Sequence, residues 1–339
     1  MTQTRLYGTA AASVVIAALA LTAPAFIDRL SANAQDTAAA SGGSVDTASA
    51  VAAADWSDNV TITVDEAANT FRFQSDGVPT HGFAAQYLVP NNPNEQPFAG
   101  KPSSAFTVVN SAEFFKQSDV DTTITTRPIY VDDVTNTSLG RIGVALSGAQ
   151  IFNDYENMER SVVALDDQVI HDHVPFLDQC NGHTLADGTN YHYHGVPVCI
   201  TDGLDSDAAH SVMIGVLEDG FPVYGNHGQG GAIVTNADLD ACSGHFGVTP
   251  EFPGGIYHYH LTADEAPYMI DCYHGEIENF GPQGGMGPDF AAIAETLGVS
   301  TDDLRQALGD SMPPDFDAAA MTLGINADDL RAAMPGPPQ

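Results

Sequence analysis

One ordered series of motifs occurs twice in this chain, and it constrains the fold more than any other feature. The first series opens with "IGVALSGAQIFND" from Ile142, continues through "LDQCNGH" from Leu177 and "TNYHYHGVP" from Thr189, and ends at Cys199. The second opens with "IGVLEDGFPVYGN" from Ile214, continues through "LDACSGH" from Leu239 and "GIYHYHLTA" from Gly255, and ends at Cys272. So many matched features in one order predict two copies of a structural unit, residues 142–200 and 214–273, related by a pseudo-twofold axis. Each opening segment reads as strand, tight turn, strand, with Gly148 or Gly220 at the turn.

The Tyr-His-Tyr-His strings carry the chemistry. On a strand, residues i and i+2 share one face at about 6.5–7 Å. On a helix they would lie about 200° apart and could not share a ligand. Tyr favours strands. Each string is therefore read as a strand with a histidine face and a tyrosine face. His192 and His194 can then reach one ion at about 2.0–2.1 Å, as can His258 and His260. Each copy adds a third candidate, His183 or His245, just after its Cys and Gly. Two histidines outside the duplicated positions join the set. His210 precedes the second hairpin where the first copy has Ser138, and His81 in "DGVPTHGF" could complete a site at long range. Either each copy builds its own three-histidine site, or both build one composite site. Imidazole donors suit copper, zinc, iron or nickel better than calcium or magnesium, and copper or zinc is the expected cofactor. A single His-x-His is also what a satisfied core histidine pair looks like. Duplication of all three histidines, one of them at a separate position, is what favours a metal. The "HDH" of His171–His173 has the same spacing but no counterpart, and reads as an exposed loop.

Arg5, the apolar run "AASVVIAALALTAPAF" and small residues at Ala32 and Ala34 predict a secretory signal over residues 1–34. Export to the periplasm or medium implies an oxidising compartment in which cysteines pair. Four cysteines allow three pairings. The repeat favours Cys180–Cys199 and Cys242–Cys272, each closing a loop around its own Tyr-His-Tyr-His; cross-copy pairing and cysteine metal ligation are the alternatives. Lys and Arg number 10 against 44 Asp and Glu, a formal net charge of −34. Such a polyanion is repelled by phosphate backbones and anionic lipid, which excludes nucleic acid and, after signal removal, the membrane as partners. A metal ion is the expected partner, with a small-molecule or polymer ligand as a further option.

Residues 35–55, rich in Ala, Ser, Thr and Gly, read as a flexible linker. Strands are expected in "VTITVDEAANTFRFQSDG", "SAFTVV", "DTTITTRPIYVDD" and "SVVALDDQVI". Together they predict a mainly β, sandwich- or barrel-like domain over 56–280. "GPQGGMGP" over 281–288 reads as a second linker. After it, "DFAAIAETLGVSTDDLRQAL" and "DFDAAAMTLGINADDLRAAM" align without gaps and predict a small tail of two helical repeats over 289–334, with Ser300 and Asn326 as N-caps.

"LDQCNGH…YHYH", "LDACSGH…GGIYHYH…YMIDCYHG", "DGVPTHGF" and "NNPN" resemble the YHYH-domain family of exported bacterial proteins, roughly from Val60 to Gly275. The resemblance implies a mainly β, secreted, cysteine-paired domain and marks His183, His192, His194, His245, His258, His260, His81 and His210 as family positions. The "HDH" region departs from it. No nucleophile elbow, phosphate loop or dinucleotide fingerprint appears. Three functions are consistent with the residues: an exported metal-binding protein for copper or zinc, a metal-dependent hydrolase or oxidoreductase using the same histidines, and a disulfide-stapled binding module with structural histidines.

Overall fold

The computed structural model describes residues 44–157, 159–277, 290–300, 304, 307–308 and 316–333. The expected signal and the 281–288 linker lie outside these residues. The chain is mainly β. Its strands are β1 (Val60–Asp65), β2 (Thr70–Ser75), β3 (Gln86–Pro90), β4 (Phe106–Asn110), β5 (Val120–Thr125), β6 (Tyr130–Asn136), β7 (Arg141–Ala145), β8 (Gln150–Phe152), β9 (Ile170–His171), β10 (Val174–Pro175), β11 (Gly182–His183), β12 (His192–Tyr193), β13 (Met213–Leu217), β14 (Pro222–Tyr224), β15 (Gly244–Gly247), β16 (Ile256–His260) and β17 (Cys272–Gly275).

Eight of these strands form one mixed sheet in the order β11-β12-β8-β7-β13-β14-β16-β15. β11, β12, β8 and β7 come from the first motif series, and β13, β14, β16 and β15 from the second. Both expected hairpins are present, turning at Gly148 and Gly220 with φ of 89° and 86°. The two halves of the sheet meet along β7 and β13, antiparallel, with Val144 opposite Val216 at the centre of the seam. Here the repeated Ile-Gly-Val has a physical cause. A Cβ on Gly143 would lie 2.7 Å from Leu217 Cδ2, and one on Gly215 would run into the Val144 carbonyl. Only glycine lets the two backbones approach this closely.

Alternation along the strands, reset by register shifts at Ile142 in β7 and Ile214 in β13, sends side chains to two cores. Val144, Met213, Val216 and Tyr224 face the three-stranded sheet β1-β2-β5, meeting Phe71, Phe73, Val120 and Ile124. This is the sandwich-like part of the molecule. Ile142, Ile151, Ile214, Val223 and the four tyrosines of the two strings bury on the opposite face. Both expected disulfides are present, Cys180–Cys199 and Cys242–Cys272, with Cα separations of 5.2 and 4.9 Å.

Two local expectations are corrected. Part of the presumed 35–55 linker is a helix, Ala48–Ala53, whose Val51 is fully buried. Its start is held by Thr47 N–H on Thr126 O (2.9 Å), and Trp56 Nε1 closes on Val51 O (2.7 Å). Composition alone hid this because Ala serves a helix as readily as a linker. "SVVALDDQVI" is largely turns, because Asp167 is buried and accepts the Phe98 and Ala99 N–H groups at 2.6 Å each. The expected helical tail is present as Phe290–Leu297, Phe316–Leu323 and Ala327–Ala333, which with Leu304 and Leu308 share a small core of their own.

The seam account predicts that Gly215→Ala lowers stability by about 1–3 kcal/mol through overpacking. Gly203→Ala, in the helix Val198–Leu204 with nothing near a new Cβ, should be neutral or stabilising by up to about 1 kcal/mol. Denaturant midpoints of the two variants decide it; equal losses would refute the close-approach account.

Candidate functional site

The site begins with the Leu-Asp-x-Cys-x-Gly-His turn. Asp178 Oδ1 accepts the Cys180 and Gly182 N–H groups at 2.8 and 3.2 Å. Asp240 Oδ1 accepts those of Cys242 and Gly244 at 2.9 and 3.1 Å. Asn181 and Ser243 take left-handed backbone at φ of 60° and 63° to complete the reversal. The second carboxylate oxygen then takes the first tyrosine of the string. Tyr191 donates to Asp178 Oδ2 and Tyr257 to Asp240 Oδ2, both at 2.8 Å. The glycine of the motif follows from this bond, since a Cβ on Gly182 or Gly244 would occupy the place of that tyrosine hydroxyl. The turn therefore delivers His183 or His245 beside the string, where His183 pairs with His192 and His245 with His258 across the sheet.

The second tyrosines complete the buried face. Tyr193 meets Ser147 Oγ at 2.8 Å, and Tyr259 donates to Asp219 Oδ2 at 2.6 Å. With all four tyrosines committed to one side, pleating puts the histidines on the other. His192 lies opposite Gln150, which lies opposite Val144; His260 lies opposite Tyr224. Both histidine pairs thus share the face that the three-stranded sheet covers at its centre.

In the first copy His183, His192 and His194 converge, with ligand atoms all within 4.8 Å of one another and every residue buried. Phe152 stacks on His192 at 3.7 Å between ring centres. Glu156 joins them: its Oε1 is 3.3 Å from His194 Nε2 and 3.5 Å from His183 Nε2. That oxygen and His183 Nε2 are buried without a hydrogen-bond partner. In the second copy the compact trio is His210, His258 and His260. His258 Nε2 is 3.3 Å from His210 Nε2, 3.2 Å from His260 Nε2 and 3.1 Å from His245 Nε2. His245 therefore touches the cluster through His258, and His210 fills the place its counterpart His183 holds in the first copy.

The outer nitrogens define the proton positions. His192 Nδ1 bonds to Asn190 O (2.7 Å), His194 Nδ1 to Asn153 O (2.8 Å), His210 Nδ1 to Ser211 O (2.7 Å), His258 Nδ1 to Ile256 O (3.0 Å) and His260 Nδ1 to Gly225 O (2.6 Å). The ring of His245 bonds to the Asp238 carbonyl. A carbonyl only accepts, so each of these rings carries its proton on the outer side and turns a lone pair inward. Burial disfavours the charged form of His192, His194, His245, His258 and His260. It pushes His192 and His258 well below the ordinary histidine range, His194 to about 4 despite the opposing pull of Glu156, and His260 to about 3. Burial acts to raise the Glu156 carboxyl, and the adjacent His183 and His194, when protonated, pull it down to about 2. Inward lone pairs at 3.1–3.3 Å cannot be hydrogen bonds to one another. Ligands at 2.0–2.1 Å from a tetrahedral ion would stand about 3.3 Å apart, which is this spacing.

The two clusters are separate. Four strands lie between β12 and β16, so at about 4.8 Å per strand they stand about 24 Å apart along the sheet. A single composite site is thereby ruled out. His81 joins neither cluster; it lies on the tyrosine side, its Nε2 2.6 Å from Tyr193 OH. His173 is exposed in the turn of the β9–β10 hairpin, as the exposed-loop reading expected, whereas His171 in β9 is half-buried beside Phe106 with its Nε2 buried and without a hydrogen-bond partner. Glu156 was missed from sequence. It aligns with Gly228 in the second copy, so a search for duplicated donors passes over it; its one signal was a carboxylate in the short stretch after the hairpin.

The anchoring of the turn yields a test. Asp178→Ala strands two backbone N–H groups and a tyrosine hydroxyl and should cost about 3 kcal/mol or more, whereas Tyr191→Phe keeps the backbone bonds and should cost about 1 kcal/mol. Chemical denaturation of both variants measures the difference; similar losses would show that the carboxylate does not organise the turn.

The sequence profile of a family described as YHYH protein matches residues 121–233 and 227–275, from β5 through β17 and across both clusters. No curated protein and no solved structure matches the chain.

Proposed function

Residues 121–275 belong to the YHYH family, and on that footing we propose that the protein is an exported transition-metal-binding protein holding one ion at each histidine cluster. The observation that carries this reading is the inward convergence of imidazole lone pairs whose protons are tied outward to backbone carbonyls. Neutral nitrogens so arranged repel one another, and a cation at their centre turns that repulsion into coordination. Fixing the outer nitrogen on a carbonyl is also how ligating histidines are ordinarily oriented. Copper and zinc suit the donors. Two disulfides support export, and among the described residues no helix is long and apolar enough to cross a membrane. A role in uptake, storage or protection follows from this reading.

The compact trio of the second cluster favours a second reading. Three protein ligands leave a coordination position open to water or substrate, as catalytic ions require. A metal-dependent hydrolase or oxidoreductase would use that position. A disulfide-stapled binding module with structural histidines is the reading left if no metal binds.

Elemental analysis of the purified mature protein should find about one transition-metal ion per cluster. His192→Ala combined with His258→Ala should remove both while the two disulfides and the far-ultraviolet dichroism persist. Metal content unchanged by the double variant would sink the metal-binding and enzymatic readings together.

A further inference from the structure

The two clusters share a frame but not a donor set. Around the first, Glu156 adds a carboxylate oxygen to three imidazoles, and that oxygen has no hydrogen-bond partner. Around the second, His210, His258 and His260 offer imidazoles alone, with His245 against His258; Asp238 and Asp240 act on His245 from farther off, and among the described residues no carboxylate lies within ion-pair distance of any of the four. The equivalent of Glu156 there is Gly228.

Resting on the metal-binding reading, we infer that the two centres select different ions: a divalent ion of the zinc class at the Glu156 centre, and monovalent copper at the His210–His258–His260 centre. Charge and softness separate the two centres. A buried ion is costly in proportion to the net charge left uncompensated. A divalent ion with Glu156 leaves one positive charge, and monovalent copper among neutral imidazoles also leaves one. A divalent ion at the second centre would leave two, buried against His258 and His260, which are fully enclosed. Carboxylate is a hard donor that suits divalent cations, whereas soft monovalent copper gains nothing from it and is content with imidazole alone. Three nitrogen ligands are also a sufficient set for that ion, which accepts low coordination numbers.

The test uses the full mature protein, stripped with chelator and then given equal Zn2+ and Cu+, with ascorbate under nitrogen keeping the copper reduced and the disulfides intact. Anomalous diffraction at the zinc and copper edges should place zinc beside Glu156 and copper among His210, His258 and His260. Glu156→Gln, which keeps the shape and removes the charge, should weaken zinc retention by at least about tenfold and leave copper unchanged, since removing even an outer-sphere partner costs about 10–100-fold. The same metal in both centres, the reverse placement, or a Glu156→Gln variant that holds zinc as tightly as the parent would overturn the discrimination while leaving metal binding intact. Failure of the unaltered protein to retain either ion would instead overturn the metal-binding reading beneath it. The diffraction result needs no variant, so it stands even if Glu156→Gln folds poorly.

Discussion

The carboxylates of Asp178 and Asp240 hold the rest of each unit in place. Each is half of a short turn and the acceptor for the first tyrosine of the string. A strand has only two faces. Once Tyr191 or Tyr257 is bonded to its aspartate and buried, the neighbouring histidines have no choice of side. The same turn carries His183 or His245 to the adjacent strand and places the cysteine that closes the loop. Burial raises Asp178, and the tyrosine hydroxyl and the two N–H groups pull it back. One buried acceptor thus determines backbone reversal, strand orientation and ligand direction together.

The seam then decides how many centres there are. Because β7 and β13 pair antiparallel through Gly143 and Gly215, the copies extend away from each other, and each string ends up near an outer edge of the sheet. Corresponding contacts recur on both sides: Asn153 O orients His194 as Gly225 O orients His260, and Asn190 O orients His192 as Ile256 O orients His258. Backbone carbonyls do this work, so the side chains at those positions are free to differ. The frame is therefore shared while the donors at its margin diverge, Glu156 in one copy and His210 in the other.

That division also explains what could be read in advance. Alternation made the strings legible as strands with opposed histidine and tyrosine faces, because period two is a property of the residues themselves. The order of matched motifs made the cysteine pairing legible, because a loop closed within one unit needs no knowledge of the other. Glu156 was not legible, since nothing duplicates it and a lone carboxylate in an acidic chain carries no signal. The exchange of His245 for His210 in the compact trio was not legible either. It depends on where the segment before β13 returns, which is a tertiary fact. The place of His81 beside Tyr193 was not legible for a similar reason: its distance in sequence was no guide to which face of the sheet its loop would cross.

The hydrogen bonds of the frame close without any ion. The aspartates are satisfied by N–H groups and tyrosines, the strands by one another, and each unit is stapled by its disulfide. Among the buried polar atoms left without a partner are His183 Nε2 and Glu156 Oε1, which point inward with the imidazole lone pairs. In a zinc finger the ion supplies the folding energy, and the ligands come together only around it. Here the tyrosine–aspartate anchors and the cross-links offset the repulsion of the converging donors, at the cost of keeping them unsatisfied. A fold that spends its rigidity this way presents a preformed cluster of lone pairs, so an ion bound there, as proposed, would be held by the fold rather than the fold by the ion.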